Sequence, residues 1–272
     1  MLVILSHQSV PASQPAMESA VTSAELQRRE RDYRERVVTA SGDRRARYQW
    51  QVELEAVLAR LQPRAGMRVL DAGCGVGRIS CALLRRQASV VSLDFALSRL
   101  QYLRAQARRG SPPEPCQADL TRLPLAAGSF DAIVCTQVLE HIPDRDGRRR
   151  LLHRLSRLLR PGGRCLLTVY NLNEPWQRRG DPREGTHDSG VFYHCYEAEE
   201  LRRDLDPAFE LIELCGIIQL LPHTWRLFPW LGPFGRVLDH RLEARVVLSR
   251  RWGHLLLAQA RVRGSEIGSF RV

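Results

Sequence analysis

Val69-Leu70-Asp71-Ala72-Gly73-Cys74-Gly75-Val76-Gly77-Arg78 is the stretch on which the fold turns. Met67 to Asp71 reads as a short apolar strand that ends at glycines. From about Val76 to Arg86 the apolar residues recur with helical period. Glycines at a strand-to-helix turn let the backbone bend sharply and let a ligand approach the main chain. A dinucleotide fingerprint has the spacing Gly-x-Gly-x-x-Gly, with the helix N-terminus facing a pyrophosphate. Here the spacing is Gly-x-Gly-x-Gly and an acid, Asp71, precedes the turn. A carboxylate there suits a ligand bearing an ammonium group or hydroxyls better than one bearing phosphates.

Outward from the loop, strands and helices alternate. Ser89–Asp94 is a second strand, Ser98–Arg109 a helix, Pro115–Ala118 a third strand and Phe130–Thr136 a fourth. The helix from Asp146 to Arg160 sets Leu151, Leu152, Leu155, Leu158 and Leu159 on one side and arginines on the other. Pro161-Gly162-Gly163 should stop it before a fifth strand, Arg164–Tyr170. Phe209–Ile218 and His254–Ala260 supply two more strands. Upstream, Ser23–Leu61 is helical with a break near Ser41-Gly42-Asp43, and its second piece places Trp50, Leu54, Val57, Leu58 and Leu61 near one face. This alternation predicts βαβ units and a doubly wound, largely parallel α/β sheet.

Asp71-Ala-Gly-Cys-Gly-Val-Gly77 resembles the first motif of the class I, Rossmann-like S-adenosylmethionine-dependent methyltransferases. Leu123-Pro-Leu125, Gly128-Ser-Phe-Asp131, Val138-Leu-Glu-His-Ile-Pro143 and Leu159-Arg-Pro-Gly-Gly163 continue the family's pattern in order. The resemblance covers about residues 66 to 172. It implies a seven-stranded, mostly parallel sheet whose last strand is antiparallel, and S-adenosyl-L-methionine as cofactor. By the same resemblance Asp71, Gly73, Cys74, Gly75 and Gly77 form the cofactor loop. Asp94 with Phe95 holds the ribose hydroxyls, Asp119 with Leu120 lies near the adenine amine, and Thr136 and Gln137 line the pocket. Residues 21–272 are then one methyltransferase domain, with acceptor-side and cap elements over about 173–252 and the last strand over about 253–263.

His141, five residues past the fourth strand, is the candidate base or acceptor contact; its competing role is to cap or pack that joint. Glu140 beside it reads as a solvated or backbone-bonding acid. Val191-Phe192-Tyr193-His194-Cys195-Tyr196 precedes a helix at Glu197–Leu205, and Tyr193 and His194 are candidate acceptor contacts against an aromatic strand packed in the core. Tyr33 is a candidate lid residue.

The chain has 272 residues and a formal charge of +11. All 41 of its basic residues are arginine, spread along the chain; this favours compositional bias over a phosphate-binding face, so nucleic acid is a possible but not a favoured partner. Seven cysteines form no CxxC pair, which suggests a reducing compartment, and the eight histidines show no metal-ligand spacing, so no metal is expected. No apolar run approaches a membrane span, and a cytoplasmic location is expected. Residues 1–20, rich in Ser, Pro, Gln and Ala, read as disordered, with Met17 an alternative start. Leu220–Trp252 interleaves Trp225, Phe228, Trp230 and Phe234 with arginines, a pattern of a pocket cap, a dimer contact or a peripheral membrane element. Three functions fit: methylation of a small-molecule acceptor (metabolite, sugar or lipid-like), tRNA methylation, and non-catalytic cofactor binding.

Overall fold

The computed structural model describes residues 21–38, 44–106, 113–120, 123, 125–219, 233–243 and 246–263. The expected disorder of 1–20, the break at 41–43, the end of the helix at 107–109, and Trp225, Phe228 and Trp230 lie outside those residues. Strands β1 (Arg68–Ala72), β2 (Ser89–Asp94), β3 (Glu114–Gln117), β4 (Phe130–Thr136), β5 (Leu159–Tyr170), β8 (Phe209–Ile217) and β9 (Leu255–Val262) make one sheet in the order β3-β2-β1-β4-β5-β9-β8. The first five are parallel, while β9 runs antiparallel to both its neighbours. A separate hairpin joins β6 (Glu184–Thr186) to β7 (Phe192–His194).

Helices cover both faces. On one face α5 (Arg145–Leu158) and α7 (Ala198–Leu205) bury Leu151, Leu152, Leu155, Leu158, Leu201 and Leu205 against the sheet. On the other, α2 (Arg44–Leu61) and α3 (Arg78–Leu84) bury Val52, Val57, Leu61, Ile79 and Leu83. The pleat sorts neighbours between the layers: Leu70 and Ala72 of β1 join the first cluster and Val69 the second. Each fully buried leucine contributes about 1.5–3 kcal/mol of transfer free energy, so these clusters dominate the fold's stability. The remaining helices are α1 (Ser23–Arg36), α4 (Leu97–Gln106), α6 (Glu174–Arg179), α8 (Pro233–Glu243) and α9 (Val246–Trp252).

Two expectations need correction. The helix expected to run to Arg160 ends at Leu158, because Leu159 is drawn into the sheet opposite Phe130. The Pro161-Gly162-Gly163 turn is then absorbed as an irregularity inside β5, with the register shifting between Phe130 and Ala132. On α2 the inward face is turned from the expected one: Val52 and Ala56 are core, whereas Trp50, Leu54 and Leu58 are half-buried.

Candidate functional site

The loop between β1 and α3 sits at the carboxyl end of the parallel strands. Its first turn is pinned by Gly73 and Cys74, whose N–H groups donate to the Leu93 carbonyl at the end of β2 at 2.8 and 2.9 Å. Gly73 and Gly77 both have left-handed φ, +78° and +82°. A Cβ on Gly73 would fall 2.4 Å from Val138 Cγ2, and one on Gly77 would fall 2.1 Å from Leu103 Cδ1. No other residue type fits either place.

The expected acids stand at successive strand ends. Asp71 is buried, and its Oδ2 accepts from Ser80 N at 2.9 Å and Ser80 Oγ at 2.6 Å. Burial pushes its carboxyl up to about 6 although the Ser80 hydrogen bonds oppose the shift. Asp71 therefore braces α3 on the loop. Asp94 accepts from Gly75 N at 2.8 Å and Ala96 N at 2.9 Å, and Cys74 and Leu120 are both buried. Asp119, just past β3, accepts from Arg31 of α1 at 3.0 Å, and the Arg31 guanidinium lies 5.9 Å from the Phe95 ring centre. Ser98 and Arg99 of α4 bond to Glu35, Arg34 and Val37, so α1 is strapped across the ends of β2 and β3. This donor set fits a ligand with hydroxyls and an ammonium group: the N–H of Gly75 is already taken by a carboxylate, where a pyrophosphate would need it free.

Residues 70–167 match the family model described as "Methyltransferase domain". Over that segment the chain is similar to this family of methyltransferases. S-adenosylmethionine is the cofactor of this family. Relatives of the domain include a ubiquinone biosynthesis O-methyltransferase from Xanthomonas axonopodis pv. citri, 38% identical over 128 residues that make up 44% of this chain and 49% of that protein. One of the same description from Paracidovorax citrulli is 33% identical over 116 residues, 42% of this chain and 48% of that protein. The chain spans about half the length of the curated relatives it matches. Among solved structures, the Burkholderia thailandensis 1,6-didemethyltoxoflavin-N1-methyltransferase, with bound 1,6-didemethyltoxoflavin and S-adenosylhomocysteine, shares the fold at TM-score 0.65 and 19% identity, over 91% of this chain and 93% of that one. The N-methyltransferase NodS from Bradyrhizobium japonicum WM9, in complex with S-adenosylhomocysteine, does so at TM-score 0.56 and 17% identity, over 85% and 97%.

Beyond the glycine loop, β4 ends at Thr136 and the chain turns through Gln137, at φ +53°, into a short 3-10 turn, Leu139–His141. All three residues of that turn are buried. The Nδ1 of His141 lies 2.8 Å from the Phe192 carbonyl of β7. A carbonyl can only accept, so Nδ1 carries the proton and Nε2 keeps its lone pair. Burial, reinforced by the Arg34 charge, holds this imidazole well below its ordinary value. It is neutral at physiological pH. Around it stand Tyr170 at 5.7 Å and His187 at 6.4 Å between ring centres, with Tyr193 4.7 Å beyond His187 and Trp176 next to Tyr193. Glu140 is completely buried, which overturns the solvated alternative of its two expected roles, and burial pushes its carboxyl far up.

The other two acceptor candidates are placed differently. His194 has both ring nitrogens beside carboxylates, Nδ1 3.1 Å from Glu184 and Nε2 3.0 Å from Glu200, and ties the hairpin to α7. Tyr33 is half-buried on α1 with the Arg34 guanidinium 5.9 Å from its ring centre. His187, Tyr170 and Glu53 were not anticipated. For Glu53 the signal was a carboxylate three residues after Trp50 and four before Val57, on the apolar side of a helix. Among the described residues no group of His, Cys, Asp and Glu is arranged to hold a metal ion.

Proposed function

We propose that this chain transfers the methyl group of S-adenosylmethionine to an oxygen of a small-molecule acceptor. The observation that carries the reading is the meeting, at one end of the sheet, of the glycine loop with Asp94 and of a neutral His141 with its aromatic surround. In this reading Asp94 takes the ribose hydroxyls, Asp119 and Leu120 flank the adenine beside Phe95, and Gly73, Cys74, Gly75 and Gln137 border the amino-acid end. The bound cofactor supplies a methyl group already activated on sulfonium, so the protein's main task is to hold the acceptor in line. Tyr170, His187 and Tyr193 form a wall for a flat acceptor, and His141 Nε2 receives the proton that the acceptor hydroxyl gives up. An oxygen acceptor is favoured by the relatives' description as O-methyltransferases. We assign Tyr33 to the strap over the cofactor and His194 to holding the hairpin.

A second element of the proposal concerns where the acceptor is met. Phe234, Val237 and Leu238 of α8 are 81, 52 and 45% exposed and follow one another at helical i, i+3, i+4 spacing, with Arg241 exposed one turn on. With a chain charge of +11, this stripe fits an anionic lipid surface.

Calorimetric titration with S-adenosylmethionine, with NAD as control, tests the cofactor. Saturable binding of the first alone is expected. Asp94→Ala should weaken it tenfold or more, since hydrogen bonds to a charged group are worth about 1.5–3 kcal/mol. Labelled methyl transfer into a metabolite extract but not into bulk tRNA then separates the small-molecule reading from an RNA one.

A further inference from the structure

Glu53 is the only acid of α2's buried face among the described residues, and it lies outside the matched domain segment. Its carboxylate gathers donors from three other elements. Arg78, the first residue of α3, donates through Nη2 and is held from behind by Nη1 donating to the Trp50 carbonyl at 2.6 Å. Gln137 Nε2 lies 3.1 and 3.0 Å from the two carboxylate oxygens. Thr168 Oγ1 of β5 donates at 2.6 Å. Gln137 is fastened a second time, through its backbone N–H to Thr168 O at 3.0 Å.

The arrangement has a direction. In sheet order the site residues run from Asp119 past β3, through Asp94 at the end of β2 and the glycine loop after β1, to Gln137 after β4 and Thr168 on β5. The adenosine-side acids thus occupy one flank of the cleft, and the Glu53 cluster braces the other. Gln137 must hold a left-handed φ of +53°, which an L-residue keeps only when its surroundings over-determine it. The next residue, Val138, is the one whose methyl packs where a Cβ of Gly73 would stand. A buried carboxylate with charged and neutral donors is therefore the common anchor of the loop's end and of the β4 turn.

We propose that Glu53 is a positioning residue for the amino-acid half of the cofactor site: through Arg78, Gln137 and Thr168 it fixes the wall against which the methionine moiety lies. The inference rests on the S-adenosylmethionine reading above. Its signature is selectivity between ligands, because the adenosine flank does not depend on Glu53. Loss of the anchor should weaken ligands that carry the amino-acid group and spare one that lacks it.

The test is calorimetry of the full chain with S-adenosylhomocysteine and with 5′-methylthioadenosine, which keeps the nucleoside and thioether but has no amino-acid group. Glu53→Gln should raise the dissociation constant of S-adenosylhomocysteine at least tenfold and change that of 5′-methylthioadenosine less than twofold. Thr168→Val, which removes the hydroxyl that donates to Glu53 and accepts from Gln137 N at 3.2 Å and leaves the ion pair, should move the first constant in the same direction by about threefold. Circular dichroism checks that each variant is folded at the titration temperature. Equal losses for both ligands, or no loss for either, would overturn the proposal, and if Glu53→Gln does not fold, Thr168→Val alone decides by the same two-ligand comparison. Failure of the wild type to bind S-adenosylhomocysteine would defeat the cofactor reading itself and this inference with it; binding by the wild type with unselective variants defeats the inference alone.

Discussion

In the proposed reaction the acceptor's proton falls to one imidazole. His141 donates a hydrogen bond through Nδ1–H to a backbone carbonyl and is kept neutral by burial, so Nε2 offers a lone pair without any prior deprotonation. Its folded-state value lies below the ordinary histidine range, so the acid limb of turnover should fall well below pH 6.5, and activity should not decline between pH 8 and 6 on its account. His141→Ala should lower turnover about a hundredfold, within the usual range for removal of a general base, while leaving the S-adenosylmethionine dissociation constant within twofold. A turnover profile in which the wild type loses activity around pH 6.5, or an alanine variant with unchanged turnover, would assign the ring to packing the β4 joint instead.

At the scale of elements, α8 offers an outward apolar stripe that ordinary burial would not leave exposed. Sedimentation with vesicles containing anionic lipid should carry the protein down at low salt, and Phe234→Ser with Leu238→Ser should reduce the bound fraction severalfold. Equal sedimentation with neutral vesicles and with the double variant would remove the lipid surface as a partner. The elements also show where the sequence could be read. Strands β2 and β4 fall on the residues expected, since each is an apolar run closed by a turn or an acid. The three-residue strands β6 and β7 are too short to establish a period, and Glu184-Gly185-Thr186 looks like any polar loop. Asp94 and Asp119 were singled out by the family resemblance, and they stand at the end of β2 and just past β3. Glu53 was not singled out, because its place on the apolar side of a helix does not name the partners that α3, the turn after β4 and β5 supply.

For the whole molecule, buried and bridged carboxyls make stability depend on pH in two opposite senses. Burial raises Glu200, but hydrogen bonds and charge from His194 and Arg183 outweigh it and hold its carboxyl down at about 2, below its ordinary 4.5. A depressed folded-state value contributes stability that is fully present above pH 4.5 and fades as pH falls toward 2. Asp71, pushed up to about 6, acts the other way, costing stability as pH rises from its ordinary 3.8 through 6. Thermal unfolding from pH 7 to pH 3 should therefore show wild type and Glu200→Gln furthest apart at neutral pH and converging below pH 4.5. Melting points that stay equally separated across that range would mean that the Glu200 carboxylate gains no ionic stabilisation from Arg183 and His194.

The place of β9 has a consequence for how the chain is made. It follows both β5 and β8 along the chain, yet it lies between them, and among the described residues β8 has no other neighbour in the sheet. Until Leu255–Val262 is synthesised, β8 carries unpaired backbone groups and half of an apolar layer with nothing to complete it. The growing chain thus passes through a vulnerable interval in which β8 waits for β9, and a nonsense codon ahead of residue 255 would cost the sheet two strands rather than one.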